Sequence, residues 1–278
     1  MLMPLQADLE IQGNKYNLHR NSMNLDLKNK HFVVCGASSG FGLAIAKQLL
    51  KEGARVTAVA RDGNKLRAIY KNTDADFVEG SLIYSDTLDK IEAVIKKEQS
   101  YGIVFNAGGP PAGSALDSNL SDLDSAYQLV MRWKVDLALR CAPFLSDLGR
   151  GRMLFIESQS VKQPIPNLVL SNTFRAGIAG FAKTLSQEIA SKGVTVNVLA
   201  PGSHETPAIE RIIQNRSNLL GITKEQAKKE MQGHIPVGRF GTAEEFATLA
   251  TWLLSPLSGY VTGQVISHDG GNIAGLFG

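Results

Sequence analysis

The sequence predicts an α/β fold, a single domain on a doubly wound, parallel, seven-stranded sheet. Three observations carry that expectation. Short β-rich runs alternate with helical patterns from about residue 31 onward, the runs are apolar on both faces, and no repeat, low-complexity tract or Pro/Gly linker divides residues 31–278. The runs are 31–36, 55–60, 76–80, 102–106, 152–157, 194–199 and 264–268. Val, Ile, Phe and Leu dominate them with little polar alternation, as strands covered on both faces require. Between them lie stripes at helical spacing, such as Ile178, Phe181, Ala182, Leu185 and Ile189, suited to packing on a sheet. Repeated strand–helix units favour a parallel sheet with helices on both faces.

Composition narrows the function. The 278 residues are 44% hydrophobic and 20% charged, enough for a full-sized core. Lys and Arg total 29 against 26 Asp and Glu, and a net charge of +3 is too thin to suggest a nucleic-acid or membrane-surface partner. No apolar run approaches the roughly 18–20 residues of a membrane span. Asp8, Glu10, Lys15, His19 and Arg20 stand where a signal peptide would be apolar. Two cysteines exclude a disulfide framework or a Cys-rich zinc module, and no metal site is expected. Cys35 reads as a small core residue of the first strand, and Cys141 as a packing residue on a helix with Trp133 and Leu137. The expectation is a cytoplasmic protein.

Two regions break the rhythm. Residues 1–30 lack clear periodicity and read as an N-terminal arm. Residues 203–238 form a long, polar, helix-rich insertion beyond a strand's C-terminal end, where α/β proteins place lids. In it Lys224, Lys228 and Lys229 alternate with Glu225 and Glu230, which favours a solvated helix face over a docking patch for an acidic partner.

The first strand runs into Gly36-Ala37-Ser38-Ser39-Gly40-Phe41-Gly42, and a helix over 43–51 follows at once. Such glycines allow a tight turn and let phosphate oxygens reach backbone N–H groups at a helix N-terminus. The spacing Gly36-x3-Gly40-x-Gly42 differs from the common G-x-G-x-x-G. The fourth strand ends in Asn106-Ala107-Gly108-Gly109. Ala200-Pro201-Gly202 and Asp269-Gly270-Gly271 follow the sixth and seventh, with Pro236–Gly241 (PVGRFG) and Glu244-Glu245 between them.

These motifs, in this order over about residues 25–271, resemble the short-chain dehydrogenase/reductase family. The resemblance implies a Rossmann-type fold and cofactor contacts from Gly36, Ser38, Ser39, Gly40, Phe41, Gly42, Asn106, Ala107, Gly108, Pro201, Gly202 and Thr206. Thr206 matches the family's Pro-Gly-x-x-x-Thr pattern and would bind the carboxamide or the pyrophosphate. Where the family's NAD enzymes carry a ribose-binding carboxylate, this chain has Ala60. Arg61 follows it and suits a 2′-phosphate, so NADP(H) is expected over NAD(H). The family also implies a homodimer or homotetramer, with Gly177 and Gly180 permitting close helix packing.

The family's catalytic Asn, Ser, Tyr and Lys are mostly missing. Ser158 fits the serine. Ser171 and Arg175 occupy the Tyr and Lys positions, Val130 falls near the Asn, and no tyrosine lies between Tyr127 and Tyr260. The segments around Ser158 and Ser171 resemble a 3-oxoacyl-[acyl-carrier-protein] reductase-like subgroup with the same atypical tetrad. A phenol with a pKa near 10 can be tuned to donate a proton, whereas an aliphatic hydroxyl is far weaker and a guanidinium stays protonated. Arg175 would hold the nicotinamide ribose, and Ser171 would relay a proton through water. Lys162 and His204 are further candidate proton donors, each also readable as an ordinary loop residue. Two readings remain open: an NADP(H)-dependent carbonyl reductase with a Ser/Ser/Arg site, or a catalytically silent dinucleotide-binding sensor or scaffold.

Overall fold

The computed structural model describes residues 24–276. In chain order it contains β1 (His31–Cys35), α1 (Gly40–Lys51), β2 (Arg55–Ala60), α2 (Gly63–Tyr70), β3 (Asp76–Glu79), α3 (Ser85–Lys97), β4 (Gly102–Phe105), α4 (Leu120–Ala126) and α5 (Trp133–Asp147). It continues with β5 (Gly151–Ile156), α6 (Val169–Ile189), β6 (Val194–Pro201), β7 (His204–Glu205), α7 (Pro207–Leu220), α8 (Lys224–Gly233), β8 (Gly241–Thr242), α9 (Ala243–Leu254) and β9 (Val265–His268). A π-helical turn, Tyr127–Arg132, joins α4 to α5.

Seven strands form one parallel sheet in the order β3-β2-β1-β4-β5-β6-β9. All seven expected strands are present, with ends shifted by two residues or fewer. Alternation along each strand divides the apolar side chains between two cores. Phe32 and Val34 of β1 face α1 and α9, whereas Val33 and Cys35 face α3, α5 and α6. Because both faces are covered, β1 is buried at all five positions, which is why it reads as an unbroken apolar run. Cys141, Trp133 and Leu137 pack in the second core with Cys35. Gly177 lies against Met131 of the π turn, while a side chain at Gly180 would meet nothing within 4 Å, so close packing holds at the first glycine only.

Residues 24–30 pack on the domain. Leu27 is in the core beside α1, and Asn29 N–H donates to Gly53 O at 2.9 Å. The rest of the expected arm, residues 1–23, lies outside the described residues. The insertion after β6 folds α7 and α8 around its own small core of Ile209, Ile213, Ala227, Ile235 and Phe240. Gly221 ends α7 in the left-handed conformation (φ 64°). Lys228 pairs with Glu205 at 3.1 Å, and Lys224 and Lys229 are exposed. Among the described residues no helix is long and apolar enough to cross a membrane.

His31 starts β1 in full burial, with Nδ1 2.7 Å from Ser100 Oγ and Nε2 3.0 Å from Thr57 Oγ1. Burial, helped by Arg55, holds its pKa down at about 4. The folded state keeps this imidazole neutral where the unfolded chain would protonate it. Stability is therefore full above pH 6.5 and falls by up to about 3 kcal/mol as the pH drops from 6.5 to 4. Chemical denaturation of His31→Asn across that range should show a shallower acid loss, from a lower starting stability. An unchanged slope would assign the acid sensitivity to other groups.

Candidate active site

The order β1-β4 is where the sheet reverses direction, and ligands of open α/β sheets bind beyond the strand ends at such a point. Here those ends carry residues 36–42 after β1, Asn106–Gly109 (NAGG) after β4, Glu157 and Ser158 after β5, and Gly202 after β6.

The glycine turn is built for close approach. Gly36 and Gly40 have φ of 64° and 52°. A Cβ on Gly42 would lie 2.3 Å from Gly36 O and 2.7 Å from Asn106 Nδ2. Asn106 Nδ2 donates to the carbonyls of Cys35 (3.3 Å) and Gly36 (3.5 Å), tying β4 to the turn. Tyr70 Oη donates to Ala37 O at 2.8 Å from behind. Helix α1 begins at Ser39 with no side-chain cap and no acid in its first turn, so its N–H groups and dipole are left for an anion. Thr206 stands across from this turn; a Cβ on Gly40 would be 3.9 Å from its side chain. A Cβ on Gly108 would meet nothing within 4 Å, so the strand end faces open space. An anion such as a pyrophosphate fits the uncapped helix start beside these glycines. Ser38 is half-buried and Ser39 exposed in this turn, whereas the Phe41 ring packs on Phe246 (4.1 Å) and His204 (5.1 Å).

At the end of β2, Arg61 is exposed and makes no ion pair among the described residues. Its neighbour Asp62 is occupied as the N-cap of α2, accepting from Lys65 N–H at 2.9 Å. Gly202 packs so closely that a Cβ would lie 2.8 Å from Asp269 and 3.0 Å from Gln159 Oε1. Pro201 is buried at the end of β6.

The catalytic positions hold a charged network. Ser171 and Arg175 lie one turn apart on α6, both 8% exposed. Arg175 Nε donates to Ser171 Oγ at 3.0 Å, and Nη1 donates to Glu157 Oε2 and Glu157 O, each at 3.0 Å. Nη2 points to the β4 end, 3.3 Å from where a Cβ of Gly109 would be. The other Glu157 oxygen, Oε1, accepts a short bond from Lys134 Nζ, whose side chain is 1% exposed. Val130 is buried at the missing Asn position. Ser158 ends the β5 segment and caps a single turn, its Oγ accepting from Ser160 N–H at 3.1 Å. Asn172 clamps the intervening loop by bonding both backbone groups of Ile165. Gly113 bridges to Leu168, joining the loop after β4 to the start of α6.

Sequence reasoning missed Lys134 and Glu157. The usable signal was a lone lysine on the apolar stripe Val130, Leu137, Ala138 and Cys141, where a solvated lysine has no place.

Of the two candidate donors, Lys162 is half-buried in the loop after Ser158. His204 is buried, its ring 5.1 Å from that of Phe41. Its Nδ1 lies 3.1 Å from Gly202 O, a pure acceptor, so Nδ1 carries the proton. Nε2 is 2.8 Å from His268 Nδ1, and burial lowers the His204 pKa. Both ring nitrogens are thus committed, which removes His204 as a proton donor. A cavity of about 610 Å3 adjoins it, lined by Ser203, Arg239, Glu245, His268 and Asp269 among others. None of Asn106, Ser158, Ser171 or Arg175 lines that cavity, so its size does not mark the catalytic cleft.

Comparison with known proteins agrees with this layout. Residues 36–272 match a family model described as enoyl-(acyl carrier protein) reductase. A protein of Streptomyces coelicolor named as a candidate ketoacyl reductase is 32% identical over 250 residues, 86% of this chain and 95% of that one. Dehydrogenase/reductase SDR family member 6 of Danio rerio is 31% identical over 88% of this chain and 98% of its own. Among solved structures, a single-substitution variant of actinorhodin polyketide ketoreductase with NADPH superposes with a TM-score of 0.83 at 27% identity, covering 88% of this chain and 97% of that one. With the sheet order, the glycine turn and the Asn106 tie, these matches lead to one conclusion: the chain belongs to the short-chain dehydrogenase/reductase family.

Proposed function

We propose that this protein is an NADP(H)-dependent oxidoreductase that reduces a carbonyl, of a 3-oxoacyl thioester or a small ketone, at an atypical Ser158–Ser171–Arg175 site. The observation that carries the reading is the Arg175 guanidinium, fixed by Ser171 and Glu157 with Nη2 turned to the open end of β4. The named relatives, a ketoacyl reductase candidate and a polyketide ketoreductase with NADPH, support the cofactor and the carbonyl class.

When bound, the nicotinamide supplies the hydride. The N-terminus of α1 and Thr206 hold the pyrophosphate, Arg61 pairs with the 2′-phosphate, and Arg175 holds the nicotinamide ribose. Ser158 orients the substrate oxygen. Ser171 Oγ accepts from Arg175, which leaves its own O–H to donate outward. The new alcohol oxygen takes its proton along that hydroxyl, replenished from water. Residues 203–238 close over the substrate. Exposed Leu120, Leu123, Tyr127 and Leu139 on the α4–α5 segment favour a homodimer or homotetramer.

The silent-binder reading also has an observation behind it: Ser171 Oγ is engaged by Arg175, and no phenol is near in sequence. One experiment separates the readings, NADPH titration followed by NADPH oxidation with ketones and 3-oxoacyl thioesters. Turnover that Ser171→Ala lowers by roughly 10²-fold or more supports the reductase. Tight NADPH binding with no turnover on any substrate supports the silent reading. In the same titration Arg61→Ala should weaken NADPH by about 10-fold or more and leave NADH unchanged. Equal losses for both nucleotides would remove Arg61 from the 2′-phosphate.

A further inference from the structure

A lysine, a glutamate and an arginine are buried together beneath the proposed cleft, and stability does not account for them. Ion pairs taken out of water are often no more stabilising than apolar side chains of the same volume. The local construction is specific. The π turn Tyr127–Arg132 adds a residue to the helical register and is followed at once by Trp133 and Lys134, whose side chains are then buried. Lys134 Nζ lies 5.8 Å from the Trp133 ring centre and bonds Glu157 Oε1, with Ile156 O at 3.5 Å. Glu157, whose side chain is fully buried, uses its other oxygen for Arg175.

The charges sum to +1 across Lys134, Glu157 and Arg175. Were Lys134 apolar, the carboxylate would cancel the guanidinium and the cleft would face a neutral pair. We propose that Lys134 and Glu157 are positioning residues for Arg175: Glu157 grips Nη1 and so aims Nη2 at the cleft, while Lys134 neutralises Glu157 and keeps the guanidinium charge available to the cofactor and the substrate oxygen. This rests on the reading that Arg175 holds the nicotinamide ribose. It assigns to a lysine on α5 and to the glutamate just after β5 the work of fixing the site's cation.

The titratable groups packed around Lys134 are Glu157 just after β5, Arg175 from α6 and the Cys35 thiol from β1, with Cys141 next to Cys35. Burial keeps Cys35 neutral by pushing its pKa far up. Burial, with Arg175, holds Lys134 down at about 8 against the pull of Glu157. Loss of the Lys134 proton above that pH removes the positive charge from the network, so NADPH binding should weaken there.

The test is NADPH affinity by fluorescence titration from pH 6.5 to 9.5, with thermal unfolding alongside, for the native protein, Lys134→Arg, Lys134→Met and Arg175→Met. Native affinity should fall above pH 8. Lys134→Arg, which stays protonated, should bind within about 3-fold of native at pH 7 and lose that alkaline fall. Lys134→Met should bind roughly 10-fold more weakly at pH 7 and show no further fall. A Lys134→Arg protein that keeps the native alkaline fall overturns the proposal, whether or not Lys134→Met folds. So does a folded Lys134→Met with native affinity. If Arg175→Met binds NADPH as well as native, it is the Arg175 reading that fails, and the positioning role falls with it.

Discussion

Gly42→Ala should weaken NADPH binding by at least about 100-fold and cost the fold about 3 kcal/mol. The added methyl would sit 2.3 Å from Gly36 O and 2.7 Å from Asn106 Nδ2, and the first of these is backbone that cannot swing away. Relief requires α1 to retreat from the turn. The same shift breaks the Asn106 bonds to Cys35 O and Gly36 O and displaces the α1 N–H groups proposed to hold the pyrophosphate. Gly108→Ala is the control. Its methyl meets no protein atom within 4 Å, so stability should stay within about 0.5 kcal/mol of native while NADPH, which needs that space, binds less well. Paired fluorescence titrations and denaturation curves give both numbers. If Gly42→Ala binds and folds normally, the turn does not depend on contact between Gly36 and Gly42.

Glu157→Gln should be the most destabilising neutral-sized change in the domain, by about 3–5 kcal/mol at pH 7, because two buried cations then share no counter-charge. The loss should shrink with rising pH. An unpaired buried lysine has its folded pKa further below the unfolded value near 10.4, so folding releases its proton and stability climbs as the pH approaches that value. Lys134→Met/Glu157→Gln should recover about half of the deficit or more, since only Arg175, at the edge of the cleft, then lacks its partner. Urea denaturation of the single and double variants at pH 7 and 9 checks the sign and the coupling. A double variant no more stable than Glu157→Gln would show that Lys134 is not the source of the penalty.

Most of the scaffold was legible because its causes are local. Apolar runs covered on both faces marked the strands, and the glycines of residues 36–42 marked a turn that no side chain could occupy. Asn106 was found through the resemblance carried by Asn106-Ala107-Gly108, and the structure shows its ties to Cys35 and Gly36. The wiring of the candidate site was less so. Ser171 and Arg175 were locatable by spacing, but their partner Glu157 is reached only when β5 and α6 pack, and Lys134 only after the π turn resets the helix. Nothing in the one-dimensional pattern shows a helix gaining one residue in a turn. His204 was expected on a loop and instead starts the short strand β7, and its direction depends on Phe41, Phe246 and His268, which come from α1, α9 and β9. A side chain's address was visible; its orientation, set by residues far away in sequence, was not.

The strand order also sets a timetable for synthesis. A chain leaving the ribosome can pair β1 with β2 and β2 with β3 early, but β1 lacks its other neighbour until Phe105 has emerged. The crossing point between β1 and β4, where the proposed cofactor cleft lies, therefore comes into being only after residue 105 is made. At the far side, the N–H and C=O row of β6 stays bare until β9, residues Val265–His268, emerges. A nascent chain stalled between residues 201 and 265 thus carries an unpaired edge next to a buried apolar strand, a template for pairing with another chain. The interval over which such chains need a chaperone's cover is written into the position of the last strand.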